Sequence, residues 1–282
     1  MALEKVSTIL READKNHTAI LAFNCIDYSM ASAVIHAAEI VQKPVIIMLY
    51  PEHAWKNKFC TPGGFSSMIR DLAKNAKIPV GLHLDHCSDY NYIIAAIRDG
   101  FPSVMYDGSM LPLEENIANT AKVVETAHIL GADVEAELGH VGIAAKQSDQ
   151  FDEDLYTRAD IAAEFCDRTG VDSIAVAVGS AHGFYTQPPK LDLKRLEEIN
   201  NATDTPLVMH GGSGIPLDQV TLAFQKGINK FNVGTEFFHL YYTSLLEFSE
   251  SYGSSGDFFQ IPSYIQERLE KYLIQKLNLC KM

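Results

Sequence analysis

The sequence predicts an α/β fold, a (β/α)8 TIM barrel with an extra C-terminal helix, in a chain of 282 residues. Short apolar runs alternate with longer amphipathic stretches, and eight such pairs follow one another along the chain. Strands rich in Val, Ile and Leu that are each followed by a helix are typical of parallel strands buried on both faces. Eight such units in about 250 residues match the size of this barrel.

Each predicted element follows from its local pattern. The predicted strands are apolar runs, namely Ala19–Asn24, Val45–Tyr50, Val80–His86, Ser103–Asp107, Val134–Gly139, Ser173–Gly179, Leu207–Gly211 and Lys230–Thr235. The predicted helices are the amphipathic stretches Ser29–Val41, Gly64–Asn75, Asp89–Asp99, Glu114–Leu130, Arg158–Thr169, Asp192–Asn200, Pro216–Lys226 and Glu236–Glu250. Glycines follow several helices, as expected of left-handed C-terminal residues. An open doubly wound sheet is the alternative, but Asn24-Cys25-Ile26-Asp27 lacks its glycine-rich turn.

The tail differs from the repeating units. Gly253–Asp257 indicates a loop, and Ser263–Leu279 predicts a helix that covers the barrel or contacts a second subunit. No linker or low-complexity tract separates a second domain. We therefore expect residues 1–282 to form a single domain, with 251–282 as a C-terminal loop and helical extension.

Composition limits the classes of partner and the compartment. The net charge is −13, which argues against nucleic acid or an anionic membrane as partner. The five cysteines are scattered without a Cys-x-x-Cys, and the N-terminal sequence lacks the apolar stretch of a signal peptide. The apolar run Pro44–Tyr50 is far too short to span a bilayer. These features predict a cytoplasmic protein.

Three histidines stand at the carboxyl ends of separate predicted strands. His86 ends strand 3, His182 follows strand 6, and His210 ends strand 7. A lone histidine is more often structural, but in a barrel the carboxyl ends of the strands form the active site. Neutral imidazoles that converge from separate strands suit a catalytic zinc with one position open to substrate.

The remaining histidines give weaker signals. His83 lies deeper in strand 3, which predicts a core residue or a supporting partner of the site. His140 follows strand 5, faces the site and stays undecided. The others lie on helices or loops and are predicted to have no role in the site: His17, His36, His53, His128 and His239.

Asp85 is the candidate general acid or base. Adjacent strand residues point to opposite faces, so Asp85 and His86 reach one site only if the strand ends between them. A helix cap or a partner of a histidine is the alternative role. Glu135 and Glu137 share one face of strand 5, with Asp107 nearby, and such buried acids indicate cations or hydrogen-bond networks.

Two glycine-rich turns indicate a phosphate site. Gly211–Pro216 connects strand 7 to a helix, and Phe231–Glu236 does the same after strand 8. Free backbone N–H groups at a helix N-terminus bind phosphate, and the loops after strands 7 and 8 hold it in many barrels. A single tight turn also needs glycine for its own geometry, but two in consecutive positions favour phosphate.

Five motifs in this order resemble the class II (zinc-dependent) ketose-bisphosphate aldolases, which include fructose- and tagatose-bisphosphate aldolases. The motifs are Leu82-His83-Leu84-Asp85-His86, Val134-Glu135-Ala136-Glu137-Leu138-Gly139, Ala175-Val176-Ala177-Val178-Gly179-Ser180-Ala181-His182-Gly183, Leu207-Val208-Met209-His210-Gly211-Gly212-Ser213-Gly214 and Asn232-Val233-Gly234-Thr235-Glu236. The resemblance covers nearly the whole chain. It implies a homodimer or homotetramer that acts on a phosphorylated sugar.

The resemblance also implies residue roles. His86, His182 and His210 would bind one catalytic zinc, with Asp107 and Glu137 at an alternate or second metal position. Asp85 would donate a proton to the aldehyde-derived oxygen during carbon–carbon cleavage. Dihydroxyacetone phosphate would be held by Gly183, Gly211, Gly212, Ser213, Asn232, Val233, Gly234 and Thr235. A monovalent cation beside the phosphate is common in the family.

Three departures from the family pattern bear on the substrate. The segment His140–Asp154 lacks the usual glycines and acidic pair, which leaves the acid that shuttles the enediol proton unassigned. Tyr50-Pro51-Glu52-His53 replaces a small hydroxyl residue after strand 2. No arginine follows Thr235 closely, and Arg268 is the only one in the tail, whereas bisphosphate enzymes use basic residues for the second phosphate.

The sequence therefore predicts a zinc-dependent class II aldolase that reversibly cleaves a ketose 1-phosphate or ketose bisphosphate to dihydroxyacetone phosphate and an aldehyde. A zinc-dependent barrel hydrolase is one alternative, but it would need metal ligands on strand 1, where Phe23-Asn24-Cys25 offers none. A non-catalytic partner subunit of an aldolase is another. Such a subunit would not need to keep Asp85 and the three histidines.

Overall fold

The computed structural model describes residues 3–139, 141–142, 144 and 156–281. Eight parallel strands pair in chain order and close into a barrel. The strands are β1 (Ile20–Asn24), β2 (Val45–Leu49), β3 (Val80–Cys87), β4 (Ser103–Tyr106), β5 (Asp133–Leu138), β6 (Ser173–Val176), β7 (Leu207–Met209) and β8 (Ile228–Val233). The predicted (β/α)8 barrel is confirmed, with each predicted strand present to within a few residues.

Helices surround the barrel. They are α1 (Val6–Lys15), α2 (Tyr28–Val41), α3 (Pro51–Asn57), α4 (Pro62–Ala73), α5 (Tyr90–Arg98), α6 (Leu113–Ile129), α7 (Ala159–Thr169), α8 (Leu193–Asn200), α9 (Leu217–Gln225), α10 (Thr235–Tyr252) and α11 (Ile261–Leu277). Every predicted helix is present. Short 3-10 turns stand in and after the predicted tail loop, at Gly253–Ser255 and Phe258–Gln260.

Two helices were not predicted. The apolar residues of α1 stand at positions 6, 9, 10 and 13, the spacing of one helix face, and they pack against Ile20, Ala22, Ile46 and Met48. This helix therefore closes the amino-terminal end of the barrel. Helix α3 begins at Pro51 directly after β2, where proline suits the first helical position. It is only seven residues long, so its pattern is easily taken for a loop.

The C-terminal helix packs against the outside of the barrel. α11 contacts α2 and α10, the first and last of the strand-following helices, and buries Ile265, Leu269, Leu273 and Leu277. Nζ of Lys43 binds the carbonyl oxygen of Leu277 at 3.1 Å, which ties the end of the helix to the start of β2. The extension thus covers the junction at which the barrel closes.

Alternate strand residues point into the barrel lumen, and these carry most of its polar groups. On β3, β5 and β8 the inward positions come in pairs two residues apart. The deeper level holds His83, Glu135 and Lys230, whereas the level near the carboxyl ends holds Asp85, Glu137 and Asn232. The lumen is therefore charged beneath the site, instead of filled by branched aliphatic residues as is usual in such barrels. Within the described part of the chain, no helix is long and apolar enough to cross a membrane.

Candidate metal and substrate site

A cavity of about 1140 Å³ opens at the carboxyl ends of the strands. Its walls come from the residues at the ends of β1 to β8 and from the loops that follow them. Of the predicted site residues, the cavity brings together Asp85, His86, Asp107, Glu137, His182, Gly183, Gly211, Gly212, Ser213, Asn232, Gly234 and Thr235. Val233 is the exception, because its side chain points outward into the core between strands and helices.

The three predicted histidines form one cluster. One nitrogen of each of His86, His182 and His210 lies within 4.8 Å of the others. The closest pair is Nε2 of His86 and Nδ1 of His210, which are 2.6 Å apart. These side chains come from three different strands or strand ends, which the closed barrel brings to the same end of the molecule.

Carboxylates hold the far nitrogens of two of these rings. Oδ2 of Asp107 lies 2.8 Å from Nδ1 of His86, and Oε1 of Glu135 lies 2.9 Å from Nε2 of His210. A carboxylate accepts hydrogen bonds, so each of these nitrogens carries the proton. The nitrogens that face each other share one proton in a hydrogen bond, and without that proton both would offer lone pairs to a metal ion. The donor set therefore fits a metal ion with supporting carboxylates.

His86 enters the cavity through an unusual backbone conformation. Strand alternation would turn His86 away from the lumen, because Asp85 already points inward. The φ of His86 is +40°, in the left-handed region, and the pairing of β3 with β4 shifts register between Leu84 and Cys87. The expectation that the strand ends between Asp85 and His86 is wrong. The strand continues to Cys87, and a local irregularity directs both side chains to the site.

Asp85 is a buried carboxylate oriented by two amides. Nδ2 of Asn24 donates to one oxygen at 2.9 Å, and Nδ2 of Asn232 donates to the other at 3.3 Å. Burial alone would raise the pKa of Asp85, but His86 and His210 outweigh it, so the pKa lies below its usual range. Asp85 is therefore ionised at neutral pH, and neither oxygen caps a helix among the described residues.

Two further acids stand beside His86. Asp107 and Glu137 form a second cluster with His86, with ligand atoms within 4.8 Å. Oε2 of Glu137 is buried, lacks a hydrogen-bond partner among the described residues, and lies 3.7 Å from Nδ1 of His210. Burial raises the pKa of Glu137 to about 8. Such an unpaired buried oxygen is a second observation that fits a cation at this place.

The histidines differ in how readily they take a proton. Burial lowers the pKa of His182 to about 4 and holds the pKa of His210 well below its usual range, and the charge of His86 lowers both further. Burial opposes protonation of His86 too, but Asp85, Asp107 and Glu137 raise its pKa to about 9. Without metal, His86 is therefore the charged member of the cluster at neutral pH, whereas His182 and His210 are neutral imidazoles.

The glycine turns after β7 and β8 line the opposite side of the cavity. A Cβ on Gly212 would lie 2.5 Å from the ring of Phe231, so only glycine lets the two turns meet. Oγ of Ser213 accepts a hydrogen bond from the backbone N–H of Glu236, in the first turn of α10. Gly234 and Thr235 place the N-terminus of this 18-residue helix at the cavity wall. The arrangement suits an anion.

Several cavity residues were not predicted from the sequence. His53 and His239, which were expected to have no role, line the cavity together with Asn24, Tyr50, Phe184 and Phe238. The ring centroid of His53 lies 4.6 Å from that of Tyr50 and 5.4 Å from that of Phe238. The ring centroids of His239 and Phe184 are 5.2 Å apart. The rings of Tyr50, His53, Phe184, Phe238 and His239 together form an aromatic wall of the cavity. A usable signal existed for His239, since it stands four residues after Thr235 on the same helix face.

The other sequence-based assignments divide into two groups. His83 is fully buried, with Nδ1 2.7 Å from Oγ of Ser103, which confirms a core position. His140 and the acids of the segment 149–154 lie outside the described residues.

A histidine cluster at the carboxyl end of a (β/α)8 barrel, beside a buried carboxylate and two glycine-rich turns, is an arrangement typical of metal-dependent enzymes on this fold. The sequence profile of the family described as "Fructose-bisphosphate aldolase class-II" matches residues 4–282. The chain belongs to this family and is a class II aldolase, a lyase.

Relatives of this chain support the same assignment. It is 40% identical to the "Probable fructose-bisphosphate aldolase" of Bacillus subtilis (strain 168) over 242 residues. The matched region covers 84% of this chain and 82% of the relative. The "Fructose-bisphosphate aldolase" of Geobacillus stearothermophilus gives the same identity and coverage. Among solved structures, the YdjI aldolase from Escherichia coli K12 superposes with a TM-score of 0.87 and 33% identity, over 98% of this chain and 97% of the other.

Proposed function

We propose that this chain is a zinc-dependent aldolase that reversibly cleaves a ketose 1-phosphate to dihydroxyacetone phosphate and an unphosphorylated aldehyde. One observation carries the choice of substrate. The described residues that line the cavity include three carboxylates, of Asp85, Asp107 and Glu137, and neither a lysine nor an arginine. One phosphate would lie on a neutral site built from backbone N–H groups and a helix N-terminus, but a second would meet neither lysine nor arginine among the described cavity residues.

His86, His182 and His210 would hold the zinc through nitrogen atoms, as in catalytic sites with three protein ligands and one open position. The carboxylates of Asp107 and Glu135 support this set by fixing two of the rings. When bound, the ion would act as a Lewis acid towards the carbonyl and hydroxyl oxygens of the ketose. Asp107 and Glu137 would supply an alternate position on the other side of His86.

Asp85 would exchange the proton of the C4 hydroxyl group, whose oxygen becomes the aldehyde oxygen. In the cleavage direction, its ionised carboxylate accepts this proton while the bond between C3 and C4 breaks and the aldehyde leaves. In condensation, the protonated acid returns the proton to the aldehyde oxygen. The direction expected from the sequence, donation during cleavage, is therefore reversed, because Asp85 is ionised before cleavage begins.

The phosphate would lie on the turns after β7 and β8. Gly211 and Ser213 would supply backbone N–H groups on one side, and Gly234 with Thr235 would supply the N-terminus of α10 on the other. The N–H of Gly212 donates to the carbonyl oxygen of Asn232 at 3.1 Å, so Gly212 would shape the site by holding the two turns together. Asn232 would orient the substrate as well as Asp85, since its Nδ2 donates to Asp85 and its side chain lines the cavity. Gly183 and the backbone of Val233 complete the expected set. A monovalent cation beside the phosphate stays a prediction.

The aromatic wall would face the aldehyde portion of the substrate. Tyr50 and His53 follow β2, next to Asp85 on β3, and therefore stand on the side where the aldehyde leaves. Aromatic faces pack against the C–H groups of an uncharged chain, whereas they offer a phosphate no compensation for its lost hydration. This wall occupies the place of the small hydroxyl residue that the family usually carries.

Paired substrates test this proposal. The purified zinc enzyme is expected to cleave fructose 1-phosphate with a higher kcat/KM than fructose 1,6-bisphosphate. In condensation with dihydroxyacetone phosphate, glyceraldehyde should outperform glyceraldehyde 3-phosphate. A preference for the bisphosphate would overturn the choice of substrate and leave the aldolase chemistry standing.

The two alternatives receive less support. On β1, Asn24 reaches the cavity, but its amide binds Asp85 and adds no metal ligand of the kind a second hydrolytic metal would need. A non-catalytic subunit would have no use for an oriented, ionised Asp85. Cytoplasmic location and assembly into a homodimer or homotetramer stay expectations.

A further inference from the structure

Beneath the three histidines, the barrel lumen contains an ion pair that the proposed reaction does not use. Nζ of Lys230 on β8 lies 2.7 Å from Oε2 of Glu135 on β5. Oε1 of the same carboxylate accepts a hydrogen bond from Nε2 of His210, at 2.9 Å. Glu135 therefore connects Lys230 to a proposed metal ligand, with one oxygen for each.

Both members of the pair are buried outside the substrate cavity. Lys230 is 0% exposed and Glu135 is 1% exposed, and neither lines the cavity. The other close neighbour of the carboxylate is His83, whose Nε2 lies 3.7 Å from Oε2 and whose Nδ1 is engaged by Ser103. Lys230 is thus the fixed cation in contact with Glu135 among the described residues.

Stability alone gives little reason for this pair. A buried ion pair contributes little net stability compared with well-packed apolar residues, because both charges lose their hydration. Other positions of the same lumen are apolar, such as Met48 and Met105. A lysine at this depth therefore indicates a constraint on the position of the group that it binds.

We infer that Lys230 is a positioning residue for the metal site, because it holds Glu135 in the orientation that aims Nδ1 of His210 at His86. With Oε2 bound to Lys230, the carboxylate cannot turn, and Oε1 stays in line with Nε2 of His210. The imidazole is then fixed in both orientation and tautomer. The inference rests on the metal site proposed above and extends it to a residue outside the cavity.

Zinc affinity tests the inference independently of turnover. The affinity of the full-length protein would be measured by competition with a chelating dye, and the ligand geometry by the visible spectrum of the cobalt(II)-loaded protein. Lys230→Met and Glu135→Gln are each expected to weaken zinc binding about 10- to 100-fold and to change the cobalt spectrum. The double variant should lose less than the product of the two single losses, because neither charge is then left unpaired.

Lys5→Met is the matched control. It removes a lysine that lies 3.5 Å from Asp133 on the same strand, two residues before Glu135, and it should leave zinc affinity unchanged. If Lys230→Met binds zinc as tightly as the wild type but unfolds at a lower temperature, Lys230 serves stability alone and the inference is wrong. Fully multiplicative losses in the double variant would also overturn it.

If Lys230→Met does not fold, a second comparison carries the test. In the Glu135→Gln background, Lys230→Met should cause no further loss of zinc affinity, because Lys230 acts through that carboxylate. A further loss of about tenfold or more contradicts the inference. A wild-type protein that binds no zinc would refute the proposed metal site itself, which is a different outcome from an unaffected Lys230 variant.

Discussion

The rings of His86 and His210 meet nitrogen to nitrogen, with 2.6 Å between Nε2 of His86 and Nδ1 of His210. Asp107 and Glu135 bind the far nitrogens, so both facing nitrogens are available as ligands once His86 has lost its extra proton. His182 borders the same space, with ring centroids 5.0 Å and 5.7 Å from the other two. This convergence is the physical basis for the proposed metal chemistry.

Loss of one ligand should weaken metal binding strongly. His182→Ala removes one of three nitrogen donors and is expected to weaken zinc affinity by more than the roughly 10- to 100-fold typical of supporting residues. Metal content after dialysis and cleavage activity would both fall. His53→Ala is the control, because His53 lines the same cavity outside the cluster and should keep its zinc. Unchanged metal content in His182→Ala would place the site elsewhere.

Asp85 should be needed for carbon–carbon cleavage but not for metal binding. Asp85→Ala is expected to keep its zinc and to lower kcat for cleavage about 100- to 10,000-fold, the range of a general acid–base contribution. Asp85→Asn, which keeps the shape and removes the charge, should lose as much. Full cleavage activity in either variant would exclude the proton-transfer role.

Zinc affinity should depend on pH through His86. The raised pKa of His86, about 9, means that this ring is protonated below that pH in the metal-free protein, whereas a ligand must be neutral. Affinity should therefore rise with pH up to about 9, by up to about tenfold per pH unit. Titration by competition with a pH-insensitive chelator checks the slope. A flat profile between pH 6 and 9 would contradict the assignment.

The glycine turn after β7 should set the affinity for phosphate. Gly212→Ala places a methyl group against the ring of Phe231, so the turn must move, and KM for dihydroxyacetone phosphate in condensation should rise. Gly131→Ala provides the control. Gly131 lies in the turn before β5, outside the cavity, and nothing lies within 4 Å of the added Cβ. Its φ of +81° predicts a loss of stability without a change in KM. Equal effects of both changes on KM would argue against the phosphate site.

The C-terminal helix should stabilise the barrel. Leu269 is fully buried between α11 and the barrel helices, and Leu269→Ala is expected to lower the free energy of unfolding by about 2 to 5 kcal/mol. Denaturant unfolding measures the change. Lys271→Ala, on the exposed side of the same helix, should have little effect. A small loss in Leu269→Ala would mean that the helix docks only weakly.

Local patterns in the sequence were sufficient for the barrel and for much of the site. Apolar runs marked the strands, and the position at a strand end marked His182 and His210. The approach of His86 was not predictable, because it depends on a left-handed residue inside β3. The contact of His53 with Phe238 joins residues 185 positions apart through the closed barrel, so no local periodicity reveals it.

Hydrogen–deuterium exchange at C3 of dihydroxyacetone phosphate, followed by NMR, tests the central claim most directly, because it needs no knowledge of the aldehyde. The zinc-loaded protein is expected to catalyse the exchange, a chelator should abolish it, and Asp85→Ala should retain it. Exchange that persists with the chelator, or a zinc-loaded protein that catalyses none, would contradict a metal-dependent aldolase.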